Sequence, residues 1–191
     1  FENIDRAKLK TNHRSLIGVI VSHEREAGLF NIVGRASKTV AGDEALALAE
    51  QGTDQHAIGL CAGNLAGLEE KMGDLASARR NYERALAITR RGGNRTETAD
   101  YEESLAMLDF AEGKTESVLA ALDPILAQRR TLRGKIKLTT TLLNRTEVLL
   151  KLGRLDAALA HAEEARGYAD AAESPRLRAT AYRRLAAVQE A

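Results

Sequence analysis

The sequence predicts an all-α fold, a solenoid of helix pairs, on three observations. A pattern of apolar and small residues recurs at a fixed spacing of 40 residues, and a Gly falls at the same place in every copy. Ala and Leu dominate, while aromatics are only 4% with no Trp, which suits close-packed helices better than a β-sandwich needing Val, Ile and Tyr.

The repeat is visible by alignment without gaps. LAGLEEKMGDLASARRNYERALAI starts at Leu65, LAMLDFAEGKTESVLAALDPILAQ at Leu105 and RTEVLLKLGRLDAALAHAEEARGY at Arg145, each 40 residues after the last. The same step anticipates a further copy at Leu185, where LAAVQEA begins before the chain stops. Gly73, Gly113 and Gly153 each follow one helical apolar run and precede another. Gly there permits the left-handed backbone that ends a helix, so each unit predicts helix, tight turn, helix. In the second helices Ala78, Tyr82 and Ala85 correspond to Val118, Leu122 and Ile125, and then to Ala158, Ala162 and Ala165. Spacings of four and three put these on one face. One unit cannot bury such a face alone, so stacking of units must supply the core. Gly92-Gly93-Asn94, Gly134 and Glu173-Ser174-Pro175 are the expected connections, with Ser174 capping a last helix whose first turn holds Pro175.

These residues resemble the tetratricopeptide repeat family. Asn64-Leu65-Ala66, Gly73-Asp74, Ala78, Tyr82 and Ala85-Leu86 look like its pattern of a Leu-Ala pair, a turn Gly, and Ala, aromatic, Ala in the second helix. The likeness covers 56–191. The period resembles that of the kinesin-light-chain-like and bacterial regulator-type subclasses. It implies a right-handed α–α superhelix, with units near 59–98, 99–138 and 139–178 and a partial one at 179–191. Arg145 and Val118 depart from the pattern, and Pro124 falls inside a second helix, which it is expected to kink or restart.

Residues 1–55 do not keep this register, since Val33 stands where the turn Gly belongs. Leu16 to Val21 has the composition of a strand, but no second clear strand offers pairing, and a helix is the reading adopted. Ala45, Leu46, Leu48 and Ala49 after Gly42-Asp43 predict the second helix of an irregular leading repeat. The segment is expected to cap one end of the array.

Composition bounds the function. At 44% hydrophobic and 29% charged the 191 residues are a globular mixture. With 28 Lys and Arg against 27 Asp and Glu, the net charge of +1 provides no global field for nucleic acid or an anionic membrane. No apolar stretch is long enough to span a bilayer. A lone cysteine, Cys61, cannot form an internal disulfide; a reducing, cytoplasmic setting is expected, with Cys61 as inert packing. Beginning at Phe1, the chain is expected to be part of a longer protein.

The resemblance implies that ligands lie against the first helices, on a face carrying Leu60, Gly63, Asn64, Gly67, Glu70 and Lys71, then Asp100, Glu103, Ser104, Met107 and Phe110, then Thr140, Leu143, Asn144, Glu147, Leu150 and Lys151. Asn64 and Asn144, two periods apart, occupy the place where peptide-binding relatives pair an Asn with peptide backbone. Bonding to a neighbouring helix fits them equally. Met107 and Phe110 suit either adaptable contact with a peptide or packing between units. Gly63 and Gly67 stand where carboxylate-clamping relatives carry Lys or Asn, so close helix packing is preferred there over room for a ligand. Arg129, Arg130, Arg133, Lys135 and Lys137 form the densest basic run, which could meet an acidic partner but more simply is a solvated helix end. No aromatics interleave with it, which argues against single-stranded nucleic acid.

His23 with Glu24 and Glu26, and His161 with Glu163 and Glu164, lack the paired spacing of a zinc helix, so no metal or cofactor is expected. The sequence has no phosphate-cradling Gly loop and no Gly-x-Ser-x-Gly nucleophile. The expectation is a non-enzymatic scaffold binding a protein or peptide, as an adaptor or the sensing part of a larger bacterial signalling or transcriptional regulator. Self-assembly through the uncapped last unit, or sensing of a small effector, is the alternative.

Overall fold

The computed structural model describes residues 40–131, 134–172 and 174–191; the 16–21 segment and His23 lie outside them. Eight helices and no strand occur among the described residues: α1 over 40–50, α2 Gln55–Met72, α3 Leu75–Arg91, α4 Arg95–Ala111, α5 Thr115–Thr131, α6 Lys135–Lys151, α7 Leu155–Ala171 and α8 Pro175–Gln189. First helices start at 55, 95, 135 and 175 and second helices at 75, 115 and 155, so the 40-residue step holds in three dimensions. α1 ends near the place a second helix of a preceding unit would end, one period before Arg90.

Local chemistry sets the boundaries. The Asp54 carboxylate accepts from the His56 and Ala57 amides at 3.0 and 3.2 Å, Asp74 from Ser77 at 3.0 Å and Asn94 from Glu97 at 3.2 Å. Ser174 caps α8 with Pro175 in its first turn. Gly73, Gly113 and Gly153 take φ of 85°, 88° and 69°, the left-handed conformation that closes each first helix. Pro124 does not restart α5, which continues through it to Thr131. The ring sits on the exposed side of the helix, and the Arg145 guanidinium donates to the Leu119 carbonyl at 3.4 Å beside it.

The face of the second helices that the sequence singled out is the buried one: Ala78, Ala85, Leu122, Ala158, Ala162 and Ala165 are fully buried, with Tyr82, Val118 and Ile125 nearly so. Neighbouring elements pack in sequence along the array, and first helices also touch across units, α4 with α6 and α6 with α8. Core clusters are correspondingly serial. One joins Leu46 of α1 to Ile58, Leu65 and Ile88, another ties Ala66, Ala78 and Tyr82 to Leu108, and a third runs from Ala99 through Leu122 and Val148 to Val188.

Gly63 and Gly67 are filled from the next elements. A Cβ on Gly63 would lie 2.6 Å from Tyr101 Cζ, and one on Gly67 would lie 3.4 Å from the Tyr82 hydroxyl. The missing side chains therefore seat two tyrosines, whose ring centroids are 6.2 Å apart. Gly63→Ala is expected to destabilise the protein, because overpacking of about 1–3 kcal/mol exceeds the ~1 kcal/mol that Ala gains over Gly inside a helix. Chemical denaturation measures it; a variant as stable as wild type would show that Tyr101 moves aside freely.

Candidate functional site

Along the first helices runs a groove enclosing about 460 Å³, lined by Glu70 of α2, by Asp100, Glu103, Ser104 and Met107 of α4, by Arg129 of α5, and by Ile136, Lys137, Thr140 and Asn144 of α6. Helical spacing makes this possible: 100, 103, 104 and 107 share one face of α4, as 136, 137, 140 and 144 share one of α6. A second cleft of about 590 Å³, between the start of α2 and the end of α3, holds none of the sequence-predicted partner residues.

The groove floor is ionic. Arg129 and Glu103 are buried, their side chains 4% and 8% exposed, and the guanidinium donates to Glu103 Oε2 at 2.6 Å and to Asp100 Oδ1 at 2.9 Å. Lys137, at the groove mouth, pairs with the other oxygen of Asp100. Thr141 Oγ1 donates to Glu103 Oε2 at 3.0 Å, and Asn144 Nδ2 to Oε1 at 2.8 Å. Burial pushes the Glu103 carboxyl above the usual carboxylate range, against the opposing pull of Arg129, Asn144 and Thr141. At the α2 end, Glu70 accepts from the Tyr82 hydroxyl at 2.8 Å. Burial first, then the Glu70 charge, hold that phenol well above its ordinary value.

Of the remaining residues expected to contact a partner, Asn64, Lys71 and Lys151 are exposed, and Glu147 pairs with Arg184 of α8. Leu143 packs in the core with Leu126, Leu138 and Leu142. Phe110 and Met107 both lie against the central cluster, though only Met107 also lines the groove. The basic run does not form one surface among the described residues: Arg129 is buried, Arg130 donates to Glu164 at 2.7 Å, Lys135 sits 5.2 Å over the Tyr168 ring, and Lys137 holds Asp100. Arg133 lies outside the described residues. His161 faces Glu164 at 4.0 Å, and burial, then Arg145, depress its pKa.

The groove face expected from the sequence did not include Ile136 or Lys137, and Arg129 had no expected partner in α4. A signal was present. In the other copies the position of Arg129 carries Thr89 and Ala169, and that of Glu103 carries Gly63 and Leu143, so a complementary pair appears at two places in one unit alone.

No protein-family model matches the sequence, and no curated protein sequence matches it. Solved structures do. The crystal structure of BtubC (BKLC) from P. vanneervenii superposes with a TM-score of 0.68 at 21% identity over 82% of this chain, which spans 65% of that protein's length. Two crystal structures of Podosopora anserina putative kinesin light chain nearly identical TPR-like repeats, one a variant, give TM-scores of 0.64 and 0.62 at 14% identity. They cover 96% and 98% of this chain, and 86% and 88% of theirs. The fold is a right-handed α–α superhelix of tetratricopeptide-like helix pairs. No described helix is long and apolar enough to cross a membrane.

Proposed function

We propose that the array is a non-catalytic scaffold that binds an extended segment of a partner protein in the groove along α2, α4 and α6. The observation that carries this is the lining itself, where apolar Met107 and the 61% exposed Ile136 stand beside Asn144, Thr140 and Ser104 in a space sized for a few side chains. Such a mixture suits a peptide, whose backbone needs hydrogen bonds and whose side chains need apolar contact.

Charge selects among peptides. Arg129 offsets Glu103 and Lys137 offsets Asp100, leaving the Glu70 carboxylate without a cation among the described residues of the lining. The favoured segment carries an apolar residue next to Lys or Arg, and an acidic one is disfavoured. A setting inside a larger bacterial signalling or transcriptional regulator is the accompanying proposal, supported by the regulator-like run ALAHAEEARGYADAAESPRLRA.

Panning a random 12-residue peptide library against the full chain tests the reading. Enrichment of apolar-basic pairs is expected, together with at least a tenfold affinity loss, about 1.4 kcal/mol, in Met107→Glu. Failure to enrich any sequence, or full binding by Met107→Glu, would remove the groove from consideration.

A further inference from the structure

We propose that Arg129 and Glu103 are positioning residues, a buried ion pair beneath the groove that fixes the Asn144 carboxamide to receive the backbone of a bound segment. The proposal rests on the peptide-groove reading for what is bound, and on the buried pair for how.

A buried ion pair is weak support for stability, since the loss of water around both charges offsets their attraction. The fold has no need of this one. At the same junctions in the flanking units the Glu103 position is Gly63 or Leu143 and the Arg129 position is Thr89 or Ala169, all buried without charge. Arg129 Nε is moreover buried with no acceptor among the described residues, as expected of a group held for geometry rather than for its own solvation.

What the pair does is orient Asn144. A carboxylate can only accept, so the contact from Glu103 Oε1 must be to the amide nitrogen of Asn144, which settles which end of that side chain is which. Arg129 and Thr141 in turn hold the carboxylate from its other oxygen. Asn144, half-buried in the groove lining, is left with its Oδ1 and one N–H, the acceptor and donor that match a peptide unit. Asn64, two periods earlier, is exposed rather than half-buried. The two asparagines are therefore unequal. Specificity concentrates where the second and third units meet, with the contact residue Asn144 on α6 supported from beneath by side chains of α4 and α5.

The test uses the full chain and a peptide selected on the wild-type protein. In Arg129→Met/Glu103→Leu, which copies the uncharged character of the flanking units, a cooperative melt is expected with a Tm no lower than wild type by more than a few degrees. Peptide affinity is expected to fall at least tenfold. Adding Asn144→Ala to that background should cause no further loss, whereas Asn144→Ala alone should match the double variant and Asn64→Ala should bind as wild type. Without peptide, 15N relaxation of the Asn144 side-chain amide should show a rigid group in wild type and a mobile one in the variant, a change that a merely structural pair would not produce.

Wild-type affinity in the folded double variant, or an equally rigid amide, overturns the positioning role. If no peptide can be selected on the wild type, the groove reading fails separately, and the relaxation measurement still decides whether the pair holds Asn144. If the double variant does not melt cooperatively, Glu103→Met keeps the length of the side chain and leaves Arg129 its bond to Asp100, and with no acceptor for Asn144 it must still loosen the amide; a rigid amide there also overturns it.

Discussion

Arg129→Met is expected to destabilise the protein by about 3–5 kcal/mol, whereas Arg129→Met/Glu103→Leu is expected to be near neutral. Removing one partner of a buried pair leaves the other charge uncompensated, which is the large effect; removing both leaves an uncharged junction, as in the neighbouring units. The single variant strands Glu103, 8% exposed, with Thr141 and Asn144 the described residues still donating to it. Asp100 on its own helix repels it, and Lys137 of α6 is committed to Asp100. Guanidinium denaturation of the three proteins measures the contrast, and equal losses in both variants would contradict it.

The same variant has a pH signature. Burial already holds the Glu103 carboxyl above its ordinary value, and loss of Arg129, the strongest influence pulling it down, moves it further up. A carboxyl whose folded value exceeds its unfolded one binds its proton more tightly when folded. Its destabilisation is thus complete above the folded value and is relieved as pH falls through that value toward the unfolded 4.5. The gap between wild type and Arg129→Met should narrow on acidification from neutrality. A gap that widens would mean that the deficit lies elsewhere.

The second large effect is expected from Leu122→Ala, at about 3 kcal/mol. Leu122 is fully buried within the cluster that runs from Ala99 on α4 to Val188 on α8. A cavity there weakens a junction between units, and in a serial array each unit is held only by its neighbours. Hydrogen exchange should accelerate most in α6 to α8, with α2 and α3 keeping more of their protection. Uniform acceleration along the whole array would show that the units unfold as one block.

Much of the fold was legible because it is repeated. Gly73, Gly113 and Gly153 marked the turns, and the Ala78, Tyr82, Ala85 pattern marked the buried face, since each signal recurs where chance alignment would not. Single-copy features were harder to place. Pro124 promised a kinked or restarted helix, yet α5 does not restart there: the ring lies on the exposed side and Leu122 and Ile125 pack on the other. The basic run looked like a patch because its residues are close in sequence. Successive helical residues point in different directions, so Arg129 turns inward while Arg130 reaches Glu164.

By itself, then, the sequence determined the architecture: helix pairs at a 40-residue step, their turns and their apolar faces, all of which follow from local periodicity and backbone preference. Only the tertiary structure decided the groove's chemistry. Glu103 and Arg129 are 26 positions apart, and Asn144 lies 41 beyond Glu103. No local rule relates such positions, and they meet because stacking places α4, α5 and α6 side by side. The same stacking filled Gly63 with Tyr101. A side chain's partner across units depends on the rise and rotation between helix pairs, which the repeat pattern implies only on average and the packed side chains set.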